Sequence, residues 1–72
     1  MDTQVYKIVE IVGTSGTSIE DAIQSGITRA AQSIRKIGWF EVLETRGYVV
    51  EGRIERYQVT MKLGFTLEGS SS

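Results

Sequence analysis

With 72 residues, eight Lys and Arg against nine Asp and Glu, and no His, Cys or Pro, the chain reads as one near-neutral domain over residues 1–72. That balance argues against a nucleic-acid partner, which usually needs a concentrated basic surface, and the lack of Cys excludes disulfides and fits a cytoplasmic address. No apolar run nears the roughly 20 residues of a membrane span, and Met1-Asp2-Thr3-Gln4 is no signal-peptide start, so neither membrane nor leader is expected. At this length burial is opposed by about 1.5 kcal/mol of ordering cost per residue, which leaves self-association as the means of reinforcing a small core.

Val5 to Val12 is rich in β-branched residues and is predicted as a strand. Val5, Val9 and Ile11 fall on one face and Tyr6, Ile8 and Val12 on the other, so burial of the second face by another subunit is the simplest expectation. Gly13 to Ser18 is predicted as a small-residue connector. It lacks the Gly-Lys-Ser/Thr ending of a P-loop and the three-glycine dinucleotide fingerprint, while Thr17 and Ser18 both suit an N-cap, with Glu20 and Asp21 three residues on.

From Ile19 to Ile37 apolar residues recur at helical spacing, predicting an amphipathic helix of about five turns that ends at Gly38. Gly26 within the apolar stripe points to close approach of a sheet. Arg29, Arg35 and Lys36 are expected to complement the helix C-terminal dipole. Trp39 to Val50 and Ile54 to Leu67 are predicted strands joined by a Glu51-Gly52 turn. In the last strand Tyr57, Val59, Met61, Leu63, Phe65 and Leu67 alternate with Gln58, Thr60, Lys62, Gly64 and Thr66, so the first set is expected against the helix. The fold class is α+β: a β-α-β-β protomer whose three-stranded antiparallel sheet wraps one long amphipathic helix. The ordered core is placed at about 4–67, with 69–72 as a flexible tail or an expression scar.

Catalysis usually calls on a His, a Cys or a tight carboxylate cluster. The chain has neither of the first two, and Glu41, Glu44, Glu51 and Glu55 are expected in solvated cross-strand pairs with Arg53 and Arg56, so no catalytic residue and no metal site is assigned. Binding is the better prospect. Trp39 offers a flat face for stacking and Gln58 one donor and one acceptor, a pair suited to a planar heterocycle with an amide-like edge. A lone Trp also suits a core and a lone Gln also suits solvent, and the residue types leave both readings open.

In order and spacing the chain resembles the dodecins, small flavin-binding proteins. The markers are Val5-Tyr6-Lys7, Val12-Gly13-Thr14-Ser15, Glu20-Asp21-Ala22-Ile23, Trp39-Phe40-Glu41-Val42, Arg46-Gly47, Tyr57-Gln58-Val59 and Gly64-Phe65. The resemblance implies a hollow homododecamer that stores and sequesters FMN or riboflavin and is not an enzyme. It implies paired flavins stacked between Trp39 side chains of two subunits, with Gln58 bonding the polar ring edge. It further implies Arg46 near the flavin side chain or phosphate, which favours FMN over bare riboflavin, and quenching of the excited flavin by electron transfer from the indole. Coenzyme A is a further ligand of some bacterial members. Many of those have an arginine where this chain has Thr66, a departure that weakens phosphate and coenzyme A binding here.

Overall fold

The structure, a computed structural model, describes residues 4–67; the expected tail at 69–72 lies outside them. The chain runs β1 (Tyr6–Ser15), α1 (Ile19–Ala30), β2 (Ile37–Val50) and β3 (Arg53–Thr66). β3 is the central strand of an antiparallel sheet of order β1-β3-β2, with Tyr6 opposite Thr66 and Arg46 opposite Gln58. This is the expected β-α-β-β arrangement.

Gly13, Thr14 and Ser15 extend β1 beyond Val12, which shortens the connector to Gly16–Ser18. Ser15 is buried, and its hydroxyl ties that connector together. It donates to Asp21 Oδ2 at 2.7 Å and accepts from the Thr17 N–H at 2.9 Å. Of the two candidate caps Ser18 serves: its backbone is extended and its Oγ accepts from the Asp21 N–H at 2.9 Å. Glu20 and Asp21 in the first turn and Arg29 in the last complement the helix dipole.

The helix ends at Ala30, not at Ile37. Past it the chain tightens, with the Gln32 N–H donating to the Arg29 carbonyl at 3.2 Å and the Ser33 N–H to the Ala30 carbonyl at 3.0 Å. Lys36 then takes a left-handed φ of 63°, and Ile37 starts β2 opposite Phe65. Gly38 therefore lies inside the strand, and Arg35 and Lys36 lie beyond the helix. Ile37 still reaches the core, but from the sheet, so it kept the helical spacing without belonging to the helix.

Ala22, Val59, Met61 and Leu63 are fully buried, flanked by Val9, Ile11, Ile23, Ile27, Ala30 and Ile37. Tyr57 and Phe65 are half-buried on the same side, while Leu67, past the strand end, is exposed. α1 crosses the sheet where two glycines meet. A Cβ on Gly26 would lie 2.9 Å from Met61 Cε and 3.6 Å from Gly13 Cα, which confirms the close approach expected at Gly26.

Twelve helical residues span about 18 Å, whereas strands of 14 residues run about 46 Å. The helix rests on β1 and β3, and the far end of the β2–β3 hairpin extends past it. Glu51 and Gly52, with φ of 52° and 78°, close that hairpin as a two-residue turn with both φ positive, the type whose twist matches the strands. The radius of gyration is accordingly 15.0 Å, against about 11 Å for a compact chain of this length. Tyr48, Val49, Val50 and Ile54 on the projecting ribbon are all exposed.

Candidate functional site

The face of the sheet turned away from α1 is set by β3, where Gln58, Thr60, Lys62, Gly64 and Thr66 alternate with the core residues. Register assigns its neighbours: Tyr6 opposite Thr66 on β1, and Trp39, Glu41, Glu44, Arg46 and Tyr48 opposite Gly64, Lys62, Thr60, Gln58 and Arg56 on β2. Trp39, Gln58 and Arg46 thus share one face.

Simple alternation along β2 would separate them. Two irregularities, between Ile37 and Trp39 and between Val42 and Glu44, each insert a residue without a partner. The first, at Gly38, sends Ile37 to the core and Trp39 to the opposite face, although residues two apart normally point the same way. The second, at Leu43, lets Trp39 and Arg46 share a face across an odd spacing. The irregularity at Gly38 therefore places the lone tryptophan on the open face, outside the buried cluster.

The Trp39 indole lies on the backbone of Gly64. A Cβ at Gly64 would fall within the ring, against Cε2, Cζ2 and Nε1. Tyr6 braces the ring from β1 in an edge-on contact, with centroids 6.1 Å apart and planes at 62°. One side of the indole is seated on the sheet, and the residue as a whole stays partly exposed. A Gly64→Ala change is expected to lift the ring while sparing the core. The readouts are a red-shifted tryptophan emission at unchanged far-UV circular dichroism and about tenfold weaker binding of any ligand stacked on Trp39. Unshifted emission would mean that the indole does not depend on this seat.

Around Gln58, the Tyr48 hydroxyl donates to Gln58 Oε1 at 2.9 Å, leaving the amide nitrogen to donate elsewhere. Arg46 Nη2 bonds Glu44 Oε2 at 3.0 Å, with both side chains about half exposed. That hydrogen bond first, and the carboxylate charge second, raise the guanidinium pKa further, so Arg46 stays cationic. Glu44 is thus paired along its own strand and not across the sheet with Arg53 or Arg56. Sequence reading missed Tyr48, Glu44 and Tyr6 as site neighbours, because their placement follows from register and the two bulges.

Gln58 and Gly64 are six positions apart on β3, which sets Trp39 about 20 Å from Gln58 within one chain. A three-ring heterocycle cannot touch both in one protomer. Arg35, Ile34, Ser33, Phe65, Thr66 and Leu67 line a separate shallow groove at the end of β3. Among the described residues no group of three or more His, Cys, Asp or Glu is placed to hold a metal ion, and no helix is long and apolar enough to cross a membrane.

A sheet whose free face carries an aromatic platform and a row of hydrogen-bonding side chains is the architecture of a small α+β binding protein. The chain belongs to the dodecin family: the Dodecin family model matches residues 5–68. It is 48% identical over 65 residues to the dodecin of Thermus thermophilus, spanning 90% of this chain and 94% of that one. The structure of dodecin from Streptomyces coelicolor superposes with a TM-score of 0.89 at 43% identity, over 97% of this chain and all of the other. The calcium dodecin of Mycobacterium tuberculosis is 32% identical over 63 residues, 88% of this chain and 89% of that one. Its crystal structure, described as holding a novel calcium-binding site, superposes with a TM-score of 0.76. Solved variants of the Thermus thermophilus protein carry a tryptophan-to-phenylalanine change and alanine in place of either of two arginines.

Proposed function

We propose that this chain is a cytoplasmic flavin-storing and flavin-sequestering protein, one domain per protomer, that acts as a homododecamer and not as an enzyme. Trp39, Gln58 and Arg46 are its ligand residues, and FMN or riboflavin its ligand. The observation that carries the reading is the common face of these three side chains, together with the seating of Trp39 on Gly64. The residues fit a flavin: an indole for the ring, an amide for its polar edge and a guanidinium for a phosphate.

The separation of Trp39 from Gln58 makes the site a property of the assembly, with one subunit supplying the indole and another the amide. The exposed ribbon at Tyr48, Val49, Val50 and Ile54, and the exposed Tyr6, Ile8 and Val12 of β1, supply apolar surface for that assembly. When bound, the flavin supplies the light-absorbing ring. Trp39 would hold that ring by stacking, and its readily oxidised indole would be the side chain placed to quench it. Thr66 stands on the same face beside Tyr6 and offers a hydroxyl where a cation would serve a second phosphate, so coenzyme A is not assigned.

The test is a titration of FMN fluorescence with purified protein beside native mass spectrometry of the same sample. Saturable quenching at about one flavin per chain, on a particle near twelve chain masses, is expected. A twelve-chain particle that leaves FMN bright would move the function to a shell with a degenerate pocket or another planar ligand. The name of the calcium dodecin motivates a repeat with calcium and with a chelator; unchanged quenching in both is expected.

A further inference from the structure

We propose that Glu44 sets how strongly this site favours a phosphorylated flavin over a bare one, by holding Arg46 in an ion pair that a phosphate must share or displace. The inference rests on the flavin reading above and concerns its selectivity.

Arg46 is the cation in register with Gln58, and its guanidinium is bonded to Glu44 Oε2 at 3.0 Å. The other cations of this face are turned elsewhere or opposed. Arg56 reaches toward the β1 end, its Nη1 3.8 Å from where a Gly16 Cβ would stand, and Lys62 lies opposite Glu41. Thr66 adds no charge. At Arg46 itself one guanidinium is thus matched by one carboxylate. Neutral riboflavin is indifferent to that balance. An FMN phosphate near Arg46 is attracted by the guanidinium and repelled by Glu44, so the carboxylate offsets part of what the wild-type site gains from the phosphate. Because the pair is half exposed, it is weak enough to be opened, and removing its carboxylate frees the cation instead of stranding a buried charge.

The experiment compares FMN and riboflavin titrations of the wild type and Glu44→Gln, at low salt and again near 0.5 M salt, with native mass spectra of both proteins. Glu44→Gln is expected to tighten FMN about fivefold and leave riboflavin within about twofold, with most of the FMN gain lost at high salt through screening. Glu44→Ala is expected to move the ratio in the same direction and serves where the glutamine variant fails to assemble. A ratio that stays fixed, or that shifts toward riboflavin because Glu44 aims the guanidinium, overturns the role of Glu44 while leaving the flavin reading standing. If the wild type quenches neither flavin, the flavin reading falls first and this inference with it.

Discussion

Replacing Trp39 with Ala is expected to weaken flavin binding by about tenfold to a hundredfold, the range for removing an aromatic stacking partner from a planar heterocycle. It is also expected to restore much of the fluorescence of whatever flavin still binds. The two effects have different origins. Affinity is lost with the contact area and ring-on-ring dispersion of the indole; quenching is lost because the electron donor is gone. Trp39→Phe separates them, since it keeps a flat platform and removes the more easily oxidised ring, so fluorescence should return further than affinity declines. Secondary structure should hold in both variants, because Trp39 is not among the residues of the buried cluster. Unchanged affinity together with unchanged fluorescence loss in Trp39→Ala would sink the assignment of this face as the flavin site.

Gly13→Ala is expected to be the most damaging single methyl addition in the protomer. The added Cβ would collide with the backbone carbonyl of Ala22, which cannot rotate away as a flexible side chain can. The helix must lift off β1 at its closest crossing, opening the contacts of Ala22 and Gly26 as well. Overpacking of a tight core costs about 1–3 kcal/mol, and a backbone neighbour places this case at the upper end. A domain of this length is stable by only about 4–10 kcal/mol. A shift of the urea midpoint equivalent to about 3 kcal/mol, at matched protein concentration, is therefore the expected result. A loss under about 1 kcal/mol would show that helix and sheet have slack where they cross.

The strand alternation of Tyr57 to Phe65 and the turn at Glu51-Gly52 were legible from residue types, because one side of β3 meets the core and Gly52 suits the positive φ that the turn requires. The C-terminal limit of the helix was not. Ile34 and Ile37 continue the helical spacing, and periodicity does not distinguish a residue buried by its helix from one buried by the strand that follows. Trp39 and Gln58 were singled out by residue type and Arg46 by the family resemblance, whereas their common face depends on the bulges at Gly38 and Leu43. The unpaired Leu43 leaves no compositional mark, so Tyr48 and Glu44 became neighbours of the site only once register was known.

The strand order also governs the sequence of events during folding. β3, the strand that pairs with both others, is synthesised last of the three, and β1 and β2 are not neighbours. Until β3 has emerged no strand has its partner. The β2–β3 hairpin, closed by two residues, is then the fast local step, whereas pairing Tyr6 with Thr66 joins distant parts of the chain and bears the larger loop-closure entropy. The rate-limiting barrier is thus expected at the docking of β1 and α1 onto a preformed hairpin, which leaves a nascent chain with an apolar β1 awaiting its partner for most of its synthesis.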